Sequence, residues 1–355
     1  MAKIFNFLKR PQTLGVIPHF SARQHYSQDR QAAVKCQKQL KIMFFGTDDF
    51  ALHSLASLHK EYLAGGFVKA LEVTCLPMKS LTPAVAKYAK RNDLKLHVWP
   101  PDLPEGKFDL GVVASFGKLI PEKVISSFPL GMVNVHGSLL PRWRGAAPVI
   151  HALASGDQTT GVTIMRVRPR KFDVGEVFAK REVEIGETVR RIELTEQLAR
   201  VGAELLTEVL GDFETARKFS RKQDCEGVSH APLVTKEFAN IDWENLSNIE
   251  VYNLWRAVGD FLKLRTKYSE TGVCIRIGTV LHPSLVAGVD LGDDDPGAVR
   301  YLRRGNKQKY VCVKCRDGWV AISDIYYHNK KVMSPTDFYN GFLSKPGTHK
   351  LVKDS

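Results

Sequence analysis

The sequence predicts an α/β fold in which an open parallel sheet forms a first domain and a smaller β-barrel forms a second. Across residues 42–210, short apolar runs alternate with amphipathic helical segments, a pattern typical of parallel sheets. Beyond residue 270, short alternating runs are separated by clusters of Gly, Asp and Pro, which favours a small barrel. At 355 residues the chain is long enough for both domains.

The elements of the first domain follow from apolar runs, which predict buried strands, and from i, i+3, i+4 spacing, which predicts helices. Strands are expected at residues 42–46, 70–76, 108–114, 132–136 and 161–167. A first helix carries Phe50, Leu52, Leu55 and Leu58, with Thr47 or Asp48 as its cap. Further helices are expected at residues 83–91 (capped by Thr82), 121–127, 146–154 and 190–210.

A polar, irregular stretch at residues 213–232 predicts a linker. A helix is expected after it at residues 248–257. The barrel strands are expected at residues 272–277, 279–285, 298–302, 310–315 and 319–326.

The net charge of +13 is concentrated near the start of the chain. Residues 1–41 hold eight Lys and Arg against one acid, Asp29, and residues 1–28 hold no acid. This acid-poor pattern predicts a mitochondrial transit peptide over residues 1–38 and a place in the matrix. A basic tail without a targeting role is the alternative, and Lys9-Arg10-Pro11 interrupts what would be the apolar core of a secretory signal.

Several classes of protein and site are disfavoured. The chain has no apolar run of 18 residues, so no membrane span is expected. Its six cysteines are scattered, which favours a reducing compartment, and Cys312 and Cys315 form a CxxC without the second half that a zinc site needs. No metal is therefore expected. Gly46-Thr47-Asp48 lacks the GxGxxG pattern of a dinucleotide site.

Asn134 and His136 are the first candidate catalytic residues. They are two apart in a run that predicts a strand ending at Gly137, so their side chains share one face. An amide can stabilise a developing oxyanion, and an imidazole can move a proton. Parallel sheets bind ligands beyond the carboxyl ends of their strands, which is where His136 falls.

Asp173 is the third candidate, in a loop between two extended runs. A carboxylate beside His136 would fix its tautomer and favour its protonated form. Such a set suits attack of an amine on a carbonyl carbon, which needs no Ser or Cys nucleophile. Each residue also has an ordinary structural interpretation: a ladder Asn, a partly buried His and a turn-forming Asp.

Residues 134–148, NVHGSLLPRWRGAAP, resemble the signature of the methionyl-tRNA formyltransferase family. With the basic leading segment, the resemblance is to the mitochondrial form, and it extends over about residues 42–343. Supporting pieces are residues 45–47, 161–165, 236–237, 241–243, 333–334 and 337–338. A shorter version of the motif is shared by other 10-formyltetrahydrofolate enzymes.

The resemblance implies transfer of the formyl group of 10-formyltetrahydrofolate, a co-substrate, to the α-amino group of methionyl-tRNA. It places the catalytic roles on Asn134, His136 and Asp173. It places folate binding on Ser138, Leu139, Leu140 and Pro141. It implies a Rossmann-like catalytic domain at residues 39–212, a linker at 213–235 and an OB-like, tRNA-binding domain at 236–350.

The sequence departs from the family at two loops. Bacterial members carry a long basic insertion where this chain has only residues 77–82, and the loop before Asp173 is one residue longer and more basic. Basic side chains could contact tRNA phosphates, and solvated surface charge is the alternative. The candidates are Arg142, Arg144, Arg166, Arg168, Arg170, Lys171, Arg303, Arg304 and Lys307.

Two other functions compete with this one. A folate enzyme that formylates a small molecule would leave the carboxyl-terminal domain without a role. An RNA-binding protein without catalysis would not need Asn134, His136 and Asp173. The sequence indicates no obligate protein partner, and a monomer is expected.

Overall fold

The structure is a computed structural model that describes residues 39–76, 82–104, 106–305, 307–327 and 332–354. The predicted transit peptide and all but the last residue of the loop at 77–82 lie outside these residues. Within the described ranges, no helix has the length and apolar character needed to cross a membrane.

The first sheet has seven strands in the order β3-β2-β1-β4-β5-β6-β7. They are β1 (Leu40–Gly46), β2 (Val68–Thr74), β3 (Leu96–His97), β4 (Leu110–Ala114), β5 (Met132–His136), β6 (Thr159–Arg166) and β7 (Val177–Glu184). The predicted parallel arrangement is confirmed for β1 to β5. Strands β6 and β7 instead run antiparallel. The connection after β5, which includes a helix at Pro148–Ala154, re-enters the sheet at the carboxyl end of that strand, whereas a parallel neighbour needs a crossover back to the other end.

Eight α-helices accompany the strands in the described residues. They are α1 (Asp49–Leu63), α2 (Ala84–Arg91), α3 (Glu122–Ser126), α4 (Pro148–Ala154), α5 (Arg191–Gly211), α6 (Phe213–Lys218), α7 (Asn248–Val258) and α8 (Pro335–Phe338). Of the two predicted caps for α1, Asp48 serves, since its Oδ1 accepts from the Ala51 N–H at 3.1 Å. The cap predicted at Thr82 is wrong: Pro83 occupies the N-cap of α2, without a side-chain hydrogen bond.

Strand β1 is buried on both faces of the sheet. Its side chains alternate, so Ile42 and Phe44 enter one core while Met43 and Phe45 enter a second. The first core holds the apolar faces of α1 and α5, and the second is closed by aromatic residues around α3. The continuous apolar run of β1 thus reflects helices or loops on both sides.

The second sheet is antiparallel, in the order β10-β11-β12-β9-β8-β14, with β13 beside β12. Its strands are β8 (Leu264–Tyr268), β9 (Cys274–Val280), β10 (Val299–Arg304), β11 (Gln308–Lys314), β12 (Trp319–Tyr327), β13 (Val332–Met333) and β14 (Leu351–Val352). A bridge between Ala298 and Lys350 joins the two ends of this order. The sheet therefore closes on itself, as a barrel requires.

Helix α7 joins the barrel to the first domain by packing on α4 and α5. Arg256 of α7 is buried, and its guanidinium donates to the carbonyls of Gly186 and Val189 at 3.0 and 3.3 Å. Arg191, at the start of α5, forms an ion pair with Asp260, just after α7. These contacts hold the barrel beside the carboxyl ends of the first sheet's central strands.

Candidate active site

Asn134 and His136 lie at the carboxyl end of β5, between β4 and β6. Both line a cavity of about 960 Å³. His136 is buried, with 6% of its side chain exposed, and Asn134 is half-buried. The two residues are alternate positions of one strand, so their side chains share a face, as their spacing predicts.

Asp173 reaches the same point from the loop between β6 and β7. Its Oδ1 lies 3.4 Å from Nδ2 of Asn134 and 3.8 Å from Nδ1 of His136. Its Oδ2 accepts a hydrogen bond of 2.9 Å from the backbone N–H of Gly145. The structure therefore brings together the three side chains selected from the sequence.

The second nitrogen of His136 fixes the imidazole. Nε2 lies 2.9 Å from the carbonyl oxygen of Trp143. A carbonyl can only accept, so we assign the proton of the neutral ring to Nε2. Nδ1 then holds a lone pair on the side of Asp173 and the cavity, where it can take a proton.

Trp143, which holds that carbonyl, is itself fixed by Asp157. The indole Nε1 donates to Oδ2 of Asp157 at 2.8 Å, and Arg142 binds the same carboxylate through two nitrogens, at 2.6 and 2.8 Å. The hydrogen bond to Asp157 raises the pKa of Arg142. Sequence reasoning missed Asp157, and nothing in its local sequence distinguishes it from a surface acid.

The residues predicted to bind folate form the interior of the turn after β5. The Ser138 hydroxyl donates to the Arg142 carbonyl at 2.7 Å, and the Leu140 N–H donates to the Thr163 hydroxyl at 3.1 Å. Ser138 and Leu140 are fully buried, and Ser138, Leu139, Leu140 and Pro141 are not among the residues that line the cavity. Direct contact of these four with a folate stays a prediction; their observed role is to shape the turn.

The loop after β4 supplies much of the cavity wall, and sequence reasoning did not select it. Ser115 and Gly117 there have positive φ values, 42° and 75°, and the Ser115 hydroxyl hydrogen-bonds to Asp48. The strand order explains the position of this loop. The strand that follows β1 lies on one side of it and β4 lies on the other, and ligands bind at such switch points in parallel sheets. The wall formed by this loop is residues 115–120.

Large apolar side chains surround the mouth of the cavity. Leu119, Phe172, Leu233 and Phe261 line it while remaining 48%, 62%, 76% and 53% exposed. They come from the first domain, the connecting segment and the residues after α7. An exposed apolar rim of this kind marks a binding surface.

The connecting segment is not a free linker. Besides α6, residues 221–231 pair with the active-site loops: Arg221 bridges Val177, and His230 bridges Arg144. Gln223 also donates from Nε2 to the carbonyl oxygens of Asp173 and Gly175, at 2.9 and 3.0 Å. The segment is predicted as a linker from its polar composition. Its polar groups form hydrogen bonds with backbone groups of the loops around the site.

Several arginines proposed for tRNA have partners within the chain. Arg144 donates to Gln223 through Nε and Nη2, at 3.1 and 2.7 Å. Arg168 and Arg166 lie beside Glu176. Burial raises the pKa of Glu176, but hydrogen bonding and charge from these arginines bring it below its usual value.

The remaining basic candidates lie at the surface. Arg170 pairs with Glu122 at 2.9 Å, with 85% of its own side chain exposed. Lys171 is exposed and lines the cavity. Arg303 and Arg304 are exposed at the end of β10, and Lys307 is exposed in the turn to β11. Arg304 donates to the Leu285 carbonyl at 3.0 Å.

Metal-ligating groups do not converge in the part of the chain that the structure describes, since no three His, Cys, Asp or Glu side chains could hold a metal ion together. Cys312 and Cys315 are buried in the barrel. Burial raises the pKa of both thiols, that of Cys312 to about 12. They pack as neutral side chains.

Known proteins resemble the chain over both domains. Residues 86–210 match the formyl transferase family and residues 233–343 match the formyl transferase C-terminal domain. The mitochondrial methionyl-tRNA formyltransferase of Rattus norvegicus is 37% identical over 88% of this chain and 81% of its own length. The methionyl-tRNA formyltransferase of Fusobacterium nucleatum is 32% identical over 87% of this chain and 99% of its own length.

Solved structures share the fold. The N-formyltransferase from Helicobacter canadensis, in complex with folinic acid and dTDP-3-aminofucose, superposes with a TM-score of 0.58 at 15% identity, over 81% of this chain and all of that one. A sugar 3N-formyl transferase with dTDP and 5-N-formyl-THF superposes with a TM-score of 0.57 at 16% identity, over 82% and 99%. The sequence similarity over both domains decides the family: the chain belongs to the methionyl-tRNA formyltransferases.

Proposed function

We propose that the chain transfers the formyl group of 10-formyltetrahydrofolate to the α-amino group of methionyl-tRNA, giving N-formylmethionyl-tRNA for the initiation of mitochondrial translation. The observation that carries the proposal is the convergence of Asn134, His136 and Asp173 within 3.8 Å at the end of β5, in a cavity. Family membership names the reaction that such a set would perform.

Each of the three residues has one role in this reaction. Asn134 donates from Nδ2 to the formyl oxygen while the attack of the amine gives it negative charge. His136 takes a proton that the amine loses, at Nδ1, and a proton returns to the nitrogen that leaves the formyl carbon. Asp173 orients the imidazole and stabilises its charged form. One C–N bond forms and one breaks.

The cavity suits the formyl donor. Its volume of about 960 Å³ lies in the range of small-molecule sites. The wall at residues 115–120 offers backbone groups of a loop with positive φ values beside apolar side chains, which suits a flat ring with polar edges. We assign donor binding to this wall together with the turn at Ser138–Pro141.

The acceptor is proposed to enter past the apolar rim. Leu233 and Phe261 offer an apolar surface to the methionyl side chain. Lys171 and Arg170 lie near enough to the cavity mouth for phosphates of the acceptor end, and Arg303, Arg304 and Lys307 are proposed contacts from the barrel. We accordingly propose residues 39–212 as the catalytic domain, 213–235 as the connecting segment and 236–350 as the domain that holds tRNA.

We further propose that the protein acts in the mitochondrial matrix as a monomer without an obligate protein partner, and that residues 1–38 are a transit peptide. The acid-poor basic start of the chain and the mitochondrial names of its relatives support the location. Import of a fusion of residues 1–38 to a reporter, and the mass of the purified protein in solution, test these two points.

A formylation assay tests the function. Purified protein is incubated with 10-formyltetrahydrofolate and methionyl-tRNA, and formylmethionyl-tRNA is measured. We expect transfer, and a loss of about a hundredfold or more in kcat in His136→Ala. Full activity of His136→Ala would contradict the mechanism. Transfer only to small amines would favour a small-molecule formyltransferase, and tRNA binding without transfer would favour a non-catalytic RNA-binding protein.

A further inference from the structure

The side chain of Gln223 ties together the two loops that hold the Asp173 carboxylate. Its Nε2 donates to the carbonyl oxygens of Asp173 and Gly175, at 2.9 and 3.0 Å. Its Oε1 accepts from Nε and Nη2 of Arg144, at 3.1 and 2.7 Å. Carbonyls only accept and a guanidinium only donates, so the amide has one possible orientation and uses all four of its hydrogen-bonding positions.

Both loops bear directly on the catalytic carboxylate. Asp173 has φ of 52°, a left-handed conformation that a residue with a side chain adopts only where its surroundings hold it. The Asp173 carboxylate accepts from the N–H of Gly145, the residue after Arg144. Gln223 thus bonds to the backbone that carries the carboxylate and to Arg144, whose neighbour Gly145 donates its N–H to that carboxylate.

The backbone around Gln223 is anchored independently of its side chain. Arg221 and Val177 exchange two backbone hydrogen bonds, at 2.7 and 3.0 Å, and Ala231 donates to the Arg144 carbonyl at 2.7 Å. The amide therefore extends from fixed backbone and does not follow the movement of a free linker. Loss of the amide would release the Asp173 loop while leaving the segment docked.

We propose that Gln223 is a positioning residue for formyl transfer: it sets the place of the Asp173 carboxylate relative to Asn134 and His136 without contacting the reacting atoms. The inference rests on the proposed role of Asp173. It assigns a catalytic contribution to the segment that joins the two domains, which the sequence predicts as a linker.

Gln223→Met tests it, because Met keeps the length and volume of the side chain and removes the amide. A shift of the carboxylate by about 1 Å lowers kcat by about tenfold to a hundredfold. The KM values for 10-formyltetrahydrofolate and methionyl-tRNA should stay within about twofold, since Gln223 is not among the residues that line the cavity. Gln197→Met, at an exposed position of α5, is the matched control and should leave kcat unchanged.

A double-mutant cycle with Asp173→Ala, measured in single turnovers, identifies the route of the effect. If Gln223 acts through Asp173, Gln223→Met should change the rate by less than about twofold in the Asp173→Ala background. Should Gln223→Met fail to fold, Gln223→Glu is used instead, since it keeps the length but sets a carboxylate against two carbonyl oxygens. It should lower kcat in the same way.

The outcomes separate this inference from the proposed function. A loss of activity in Asp173→Ala together with an unchanged kcat in Gln223→Met, or equal losses from Gln223→Met in both backgrounds, overturns the inference alone. Full activity in Asp173→Ala overturns the proposed role of Asp173 and the inference with it.

Discussion

The indole Nε1 of Trp143 donates a hydrogen bond of 2.8 Å to Oδ2 of Asp157, and the carbonyl of the same tryptophan lies 2.9 Å from Nε2 of His136. Trp143 has φ of 62°, so its backbone depends on being held. Arg142 binds the same carboxylate and lies over the indole ring, 4.4 Å from its centre. The half-buried carboxylate of Asp157 thus fixes the turn that holds the proposed catalytic imidazole.

Asp157→Ala should lower both stability and kcat. It leaves the indole N–H without its partner, which costs about 1–3 kcal/mol in the free energy of unfolding. The freed Trp143 carbonyl would no longer hold His136, so kcat should fall by about tenfold. Urea unfolding and the formylation assay measure the two effects, and Asp102→Ala, at an exposed aspartate, is the control. An unchanged kcat would show that the turn keeps its shape without Asp157.

Gly175→Ala should disrupt the loop that carries Asp173. A Cβ at residue 175 would lie 1.7 Å from the carbonyl oxygen of Arg166, which is backbone and cannot move cheaply. We expect a loss of about 2 kcal/mol or more in stability and a fall of at least about tenfold in kcat. Gly211→Ala is the matched control, because no atom lies within 4 Å of its Cβ. Wild-type kinetics in Gly175→Ala would contradict the geometry described for this loop.

Lys171→Ala should weaken tRNA binding without affecting the donor. Lys171 is exposed at the cavity mouth, where a phosphate contact would release about one counterion. The KM for methionyl-tRNA should rise, and the slope of log affinity against log salt should fall by about 1. The KM for 10-formyltetrahydrofolate should not change. An unaltered salt slope would assign Lys171 to ordinary surface charge.

Glu72→Gln should lower stability at neutral pH only. Glu72 on β2 lies 2.9 Å from Nζ of Lys107 and also contacts Lys95 and His97. Burial raises the pKa of Glu72, but these partners bring it below its usual value of 4.5. A lowered folded-state pKa stabilises the fold above pH 4.5, and this contribution disappears as the pH falls through the folded-state value.

Unfolding of Glu72→Gln and the parent protein is therefore compared from pH 7 to pH 3. The variant should be less stable by about 1 kcal/mol at pH 7, and the two should converge as the pH falls below 4.5 and through the lowered folded-state pKa. Glu187→Gln, at an exposed glutamate, should match the parent throughout. A difference that stays constant with pH would mean that the ion pairs do not stabilise the fold.

Much of the first domain could be predicted because its signals are local. The run at residues 42–46 alternates between two cores, and the spacing of Leu55 and Leu58 defines the buried face of α1. The two-residue strands β3, β13 and β14 have no period to detect. The antiparallel direction of β6 and β7 follows from where the connecting loops run, which no local pattern records.

The same division applies to the site. Asn134 and His136 lie side by side on one face of β5 because strand side chains alternate, so their two-residue spacing predicts this placement. Other site residues act through hydrogen bonds to partners distant in the sequence. The separation is 39 positions for Asp173, 14 for Asp157 and 50 for Gln223. Composition and periodicity describe which faces are buried, so they locate the strand end. The family motif is recognised by its resemblance to a known signature. The partners of polar groups are settled only when the chain folds, because a hydrogen bond depends on distance and direction in space and leaves no period in the sequence.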